Sequence, residues 1–310
     1  MAVKNMMTTS RHEHPVNVEF QQQFLAYSLG NMPHSQFAKK VTMPEHKGDT
    51  VKWRRFSTPT AQTTPLQETV DPSPIMPGKT DLSAQVSEYG AQTPVSKWLD
   101  LTTITQTGTE LTKWLADTFR LTIDTIDREM LATSATTLAC SNGSAVSTDL
   151  NSIDLDIAVQ TLFNQDAEPI TDMMSASTGQ STSPLPPSYV GIIDSALWRS
   201  LKACAGFRDV KNYANPGQAL DNEIGATDYI RWVMTSRGYV ASSTYYLPII
   251  GKDAYGNVRI PGGDKLTGYT SPENAGSDMN RYAVYYWLAN YASRILDDSH
   301  ILTLTCTAVS

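Results

Sequence analysis

The sequence predicts an α+β chain, and three stretches carry that prediction. Thr107 to Thr133 places apolar residues at Leu111, Leu115, Phe119, Ile123, Ile126 and Met130, steps of three or four that mark one amphipathic helix. Val51 to Arg54 and Leu82 to Tyr89 alternate apolar and polar side chains as half-buried strands do. Tyr189 to Ile193 is a short apolar run of central-strand type, and Asp194 after it is placed to cap a helix through Leu197 and Leu201.

In order along the chain, the first fifty or so residues are polar, with Pro15, Pro33 and Pro44 as breakers, and read as an extended arm. One apolar patch, Phe20 to Leu29, is either a helix or a docking segment. His12, Glu13 and His14 are metal-ligating types, but three adjacent residues on a flexible arm cannot all face one ion. The alternating runs around Trp53 and Val86 predict two antiparallel strands. They are joined by a long polar loop stiffened by Pro59, Pro65, Pro72, Pro74 and Pro77. Loops of this length in compact domains are lids, binding loops or segments ordered by a partner. Gly78-Lys79-Thr80 imitates the end of a phosphate-binding loop, yet Ser73 stands where the glycine is needed and no buried strand precedes it.

The long helix opens on Thr107-Gly108-Thr109-Glu110, a capping-box pattern, and its polar side offers Lys113/Asp117, Arg120/Asp124 and Asp124/Arg128 as pairs four residues apart. At 1.5 Å per residue it spans roughly 40 Å, the length of a strut or of a long core helix. A turn-rich break at Ser141 to Asp149 leads to a second helix bearing Leu155, Val159 and Leu162 and ending near Pro169. Thr171 to Ser188 reads as surface loop. Glu223 to Met234 contains a strand over Tyr229 to Met234, and Tyr245 to Ile250 is another. Gly251 to Gly276 reads mostly as loop, Tyr282 to Trp287 as strand and Ala289 to Leu296 as helix. Leu302, Leu304, Cys306 and Ala308 alternate with threonines in a closing strand.

Composition narrows the function classes. No run of eighteen apolar residues and no secretory leader is present, which predicts a product that stays in the cytoplasm. Cys140, Cys204 and Cys306 are few, odd in number and far apart, so they read as inert thiols and not as a disulfide or zinc framework. The net charge of −7 hides an asymmetry: residues 1–55 carry eight Lys/Arg against four acids, leaving −11 on the rest. An acidic body argues against a dedicated DNA-binding protein. The basic arm either lies on the acidic surface of a neighbouring copy or is a solvated tail.

Catalytic patterns are scarce. No nucleophile turn, paired-histidine zinc helix or glycine-rich dinucleotide loop is present. His300 is the sole histidine of the body. Beside Asp297 and Asp298 it is the candidate centre of a rival reading, a cytoplasmic α/β enzyme with the long loop as lid, although Asp-Asp-Ser-His more commonly makes a turn. Asp124 and Asp127 are explained by a solvated helix face. Asp253 to Asn257 resembles a calcium loop but lacks the ligand at its third position.

The order of parts resembles a family. Gly48-Asp49-Thr50-Val51-Lys52-Trp53-Arg54-Arg55, then Pro65-Leu66-Gln67-Glu68, then Val86-Ser87-Glu88-Tyr89-Gly90 are similar to the extension-loop region of tailed-phage major capsid proteins of the Hong Kong 97 fold, the podovirus N-four-like group in particular. Ala167-Glu168-Pro169 before Tyr189-Val190, the Glu223-Ile224-Gly225 string and Ala292 to Leu296 fit the same group. The resemblance runs from about Gly48 onward.

It implies a non-catalytic coat protein, without cofactor or metal, that assembles in the host cytoplasm into pentamers and hexamers of an icosahedral virion shell around double-stranded DNA. The implied divisions are an arm (1–48), an extension loop (49–95), a peripheral domain with a spine helix at 107–133 (96–170), a mainly axial domain (171–280) and a C-terminal segment returning to the core sheet (281–310). Implied inter-subunit contacts are Trp53, Arg54, Arg55, Phe56, Leu66 and Glu68 in the loop, and Phe20, Phe24 and Leu25 in the arm. Implied partners are further copies of the chain, a portal protein, a scaffolding protein, a decoration or cement protein and, weakly, packaged DNA; no membrane is involved. With about fifty residues ahead of the loop, the expectation is that scaffolding, if needed, comes from another protein and not from a built-in domain. A decoration or tail component of the virion is the other alternative.

Overall fold

The computed structural model describes residues 33–307 except 64, 67, 69–71, 73, 103–106, 135, 141–147, 176–183, 214–215, 261–264, 272–274 and 276–278. In chain order the elements begin with α1 (Pro33–Gln36), β1 (Lys39–Thr42), β2 (Thr50–Phe56), β3 (Lys79–Gln85), β4 (Ser87–Ser96), α2 (Lys97–Thr102), α3 (Thr107–Ala132) and β5 (Thr137–Ala139). There follow α4 (Ser152–Asn164), β6 (Tyr189–Asp194), a 3-10 turn (Ser195–Leu197), α5 (Trp198–Ala203), β7 (Phe207–Asp209), β8 (Glu223–Thr227), β9 (Ile230–Thr235), β10 (Tyr239–Ala241) and β11 (Thr244–Ile250). The last are β12 (Tyr255–Arg259), β13 (Lys265–Thr270), β14 (Tyr282–Ile295) and β15 (Ile301–Thr307). The α+β class is as expected.

β14 is the axis of a five-stranded sheet. β4 runs antiparallel along one edge, from Tyr282 opposite Ser96 to Tyr291 opposite Ser87. β13 and β12 share its other edge in succession, and β1 adds to β12 in parallel. Strand side chains alternate faces, so Tyr285, Trp287, Ala289 and Tyr291 all point one way. On that face lie Leu111, Leu115, Phe119 and Ile123 of α3, all buried. Phe119 meets Trp287 edge to face, with ring centroids 5.4 Å apart. Each such large side chain taken out of water stabilises the fold by about 2 kcal/mol.

β14 corrects two expectations. Ala289 to Leu296 is strand up to Ile295 and not helix, because pairing with β4 and β12 on both edges overrides the helix propensity of Ala and Leu. Within Gly251 to Gly276, read as mostly loop, the chain also forms β12 and β13, so that most of the stretch's described residues are strand. Its glycines mark close approach: a Cβ at Gly268 would lie 2.1 Å from the ring of Tyr286. The expected single strand from Leu82 to Tyr89 is likewise two strands. The chain changes sheets at Val86, whose amide donates to the Asp49 carbonyl at 2.8 Å.

The second sheet runs β5-β15-β11-β6-β9-β8-β7, with β10 on β11. β6 and β9 are parallel, as are β15 and β5. The central strand, the Asp194 cap and the closing strand fall where expected; Asp194 Oδ1 accepts from the Ala196 amide at 2.8 Å. One face takes Leu155, Val159 and Leu162 of α4 and Leu201 of α5 against Tyr189, Ile193, Trp232 and Leu304. α4 starts at an Asn151 cap and stops at Asn164, short of Pro169. On the other face Ile192, Ile250 and Ile301 enclose Leu131 at the end of α3. The long helix thus packs on one sheet along most of its length and reaches the second at its C-terminal end, which is the strut geometry.

Thr171 to Ser188 is not purely surface. Met174 and Leu185 bridge to each other and are buried with Tyr213 and Ala226. The three cysteines are free and buried, and burial pushes the Cys204 thiol up to about 11, consistent with inert thiols.

Candidate assembly interface

β2 and β3 form a separate two-stranded sheet, Thr50 opposite Gln85 through Phe56 opposite Lys79. Its root is fixed. Val51, Trp53 and Ala84 of the hairpin pack with Met43 and with Val258 and Ala292 of the five-stranded sheet. Arg54 forks onto Asp81 across the hairpin at 2.8 and 3.1 Å, and Arg55 pairs with Asp297. Among the described residues of the tip no such anchoring is present. Phe56 is 56% exposed, Leu66 73%, Ile75 62% and Met76 88%, and Glu68 is exposed. The structure therefore divides the loop residues expected at contacts: Trp53, Arg54 and Arg55 are partly engaged within their own chain, whereas Phe56, Leu66 and Glu68 face outward. Phe20, Phe24, Leu25 and the His12-Glu13-His14 group lie outside the described residues.

Ile75 and Met76 were not singled out by sequence reading, although two large apolar residues among the prolines of a polar loop are a signal. A second outward apolar group was also missed. Trp98 and Leu101 on α2 and Trp114 on α3 are 68%, 72% and 56% exposed. Trp114 falls off the buried stripe of the helix and faces outward.

The polar side of α3 differs from expectation. Arg120 pairs with Asp117, three residues away, and Arg128 with Glu129. Asp124 and Asp127 are not on a solvated face: they are 6% and 0% exposed. Asp124 Oδ1 takes His34 Nδ1 at 2.9 Å and the His34 amide at 3.2 Å, and the Tyr255 hydroxyl donates to the His34 carbonyl. Asp127 accepts from Tyr291 Oη at 2.7 Å and Asn257 Nδ2 at 3.2 Å. Burial raises its carboxyl to about 6, against the pull of the hydrogen bonds from Tyr291, Ser293 and Asn257. This polar knot ties α1 to the long helix and both to the sheet. The Thr107, Thr109 and Glu110 side chains of the expected capping box lie outside the described residues.

Asp297, Asp298 and His300 occupy a turn. Asp297 accepts from the Ser299 amide at 3.0 Å; burial raises its carboxyl, but the bonds from Ser299 and Arg55 outweigh that and hold it low. His300 Nδ1 sits 2.8 Å from the Lys252 carbonyl and so donates to it, with Nε2 3.9 Å from Asp297. A cavity of about 340 Å³ between α1, α3 and β9, lined by Pro33, Leu121, Asp124 and Met234, includes none of the three. Among the described residues no three His, Cys, Asp or Glu side chains are grouped to hold a metal, and no helix is long and apolar enough to cross a membrane.

No protein-family model and no curated protein matches the chain. Solved structures do match. The capsid of Ralstonia phage GP4 superposes with a TM-score of 0.65 at 13% identity, over 90% of this chain and 89% of that one. This chain has a phage capsid fold. The capsid of cyanophage P-SCSP1u gives a TM-score of 0.62 at 10% identity, over 90% and 89% of the two chains. The mature capsid of bacteriophage PhiM1 gives 0.61 at 10% identity, over 90% and 88%. The capsid fold is the Hong Kong 97-type architecture expected from the order of the sequence strings.

Proposed function

We propose that this chain is the major coat subunit of a tailed bacteriophage, assembling into pentamers and hexamers of an icosahedral shell that encloses double-stranded DNA in the virion. The observation that carries the reading is the match to capsid structures over about 90% of both chains. A decoration or tail protein sharing only part of the fold would leave much of one chain unmatched. The N-four-like subgroup is supported by the strings around Trp53, Leu66 and Val86.

In this reading residues 1–48 are the arm, 49–95 the extension loop, 96–170 the peripheral domain, 171–280 mainly the axial domain and 281–310 the returning C-terminal segment. The loop tip, through Phe56, Leu66, Glu68, Ile75 and Met76, lies across an adjacent subunit, where the exposed Trp98, Leu101 and Trp114 offer an apolar seat. The loop-base residues Trp53, Arg54 and Arg55 set its angle, and Phe20, Phe24 and Leu25 extend the contact through the arm. Prolines restrict the free loop, so less entropy is lost on docking and a contact repeated around a shell can be individually weak. A net negative subunit neutralises few phosphates, which suits a container for packed DNA. Portal and scaffolding proteins, and a decoration protein, are the partners such a shell takes.

Stoichiometry tests the reading. In purified particles this chain should be the most abundant protein by quantitative mass spectrometry. A few copies per particle would reassign it to a minor virion component.

A further inference from the structure

Charge on the eight-stranded lobe is segregated to a degree the overall composition conceals. From Met130 to Trp198 the sequence has seven acids and not one Lys or Arg. Between Arg199 and Lys211 it has four basic residues, Arg199, Lys202, Arg208 and Lys211, against one acid, Asp209. Of the acids in the first stretch Asp154 is buried, Glu168 pairs with Lys252 and Asp194 caps the turn after β6, whereas Asp156 and Asp166 stay exposed on α4 and just beyond it.

The acidic stretch contains α4, whose inner side is buried in the core. Its outer side is unusual for a solvated helix. Ile153 is 54% exposed and Ile157 40%, and they flank Asp156, also exposed; Phe163, 50% exposed, meets Tyr229 and Tyr189 edge to face on one side and keeps its other side open. Asp166, just beyond the helix, extends the negative surface. The basic stretch forms a corner from α5 through β7, where all four cations are exposed. Lys202 lies over the Trp198 ring at 4.4 Å, and Trp198 meets Phe207 at 6.1 Å, so this corner too pairs charge with aromatic surface. Among the described residues, none of Arg199, Lys202, Arg208, Lys211, Asp156 or Asp166 makes an ion pair within its own chain. α4 and α5 lie on the same face of the sheet, with Cys204 Sγ 3.8 Å from the Leu150 carbonyl.

We infer that the outer face of α4 is a docking surface for a second copy of this chain, whose Arg199–Lys211 corner seats on Ile153, Asp156, Ile157 and Phe163. The occupant follows from complementarity: an apolar strip with a carboxylate at its centre fits an aromatic corner carrying unpaired cations, and the chain itself supplies that corner. A contact between unlike faces is heterologous, and repeated about an axis it closes a ring. Single exposed ion pairs contribute little, so specificity comes from several charges around the apolar strip, which together fix which faces meet. This inference rests on the shell-forming reading and adds the pair of surfaces that orders copies within a ring.

Charge reversal in the full chain tests it. Asp156→Lys alone, and Arg199→Glu with Lys202→Glu, should each lower the yield of assembled rings and shells by about tenfold, and combining them should recover most of it. Asp166→Lys against Lys211→Glu is a second, independent swap. All these sites are exposed, and unchanged urea midpoints establish that the variants fold. Assembly as in the wild type for the separate reversals, or no recovery on combination, would overturn the contact while leaving the shell reading intact. Reversals that alter only duplex-DNA retention would overturn it too and assign the basic corner to nucleic acid. A wild-type chain that forms neither rings nor shells would overturn the shell reading and this contact with it.

Discussion

Asp127→Asn isolates the least expected feature of the long helix, a carboxyl sealed between α3, β12 and β14. Burial lifts its pKa from 3.8 to about 6, which corresponds to about 3 kcal/mol between the two protonation states. Because the folded value is the higher one, the stabilising contribution is fully present below the unfolded value and is lost as pH rises through the folded value, a window from 3.8 to about 6. Asparagine stays neutral throughout. The variant should therefore gain on the wild type by about 3 kcal/mol as pH rises from about 4 to about 8, whatever fixed difference its altered bonds to Tyr291 and Asn257 introduce. Urea unfolding of both chains, at concentrations where the subunit is unassembled, measures this gain. A stability difference that does not change with pH would refute the assignment of a proton to this site.

Three other perturbations probe separate parts of the structure. Arg231→Leu strands Glu223, whose side chain is 0% exposed and whose carboxylate takes Arg231 at 2.6 Å; a loss of about 3–5 kcal/mol in urea unfolding is expected, and an unchanged midpoint would contradict the buried pair. Gly191→Ala puts a Cβ 2.5 Å from the Trp232 ring, so β6 and β9 must shift and thermal unfolding should register a loss of about 1–3 kcal/mol. Removing Thr58 to Met76 should leave a folded subunit with near-native circular dichroism that no longer assembles. Normal shells from that deletion would reject the loop tip as a lattice contact.

The sequence made the long helix legible because its burial repeats with one period, against β14 first and the second sheet at its end, and Leu111 to Met130 kept that period without a break. β15 was legible for the same reason at period two. Where the reading failed, the deciding partner lay far away in sequence. Asp124 and Asp127 had arginines at helical spacing, which suggested local pairs, but their partners His34, Asn257 and Tyr291 come from three other elements. Ala289 to Ile295 has the composition of a helix and became strand because both its edges were occupied by other strands. β12 and β13 were hidden by glycines that read as loop and in fact admit neighbouring side chains. Of the candidate contact residues, the exposed loop tip was legible from its prolines. That Trp98, Leu101 and Trp114 stay exposed was not legible, because it depends on which side of α3 the sheet covers.

Electron microscopy of the purified chain, with light scattering for mass, tests the central claim most directly. Closed shells of uniform size, or rings of five and six subunits, are the predicted result. A strictly monomeric or dimeric particle, even with the scaffolding protein of its phage co-expressed, would contradict it.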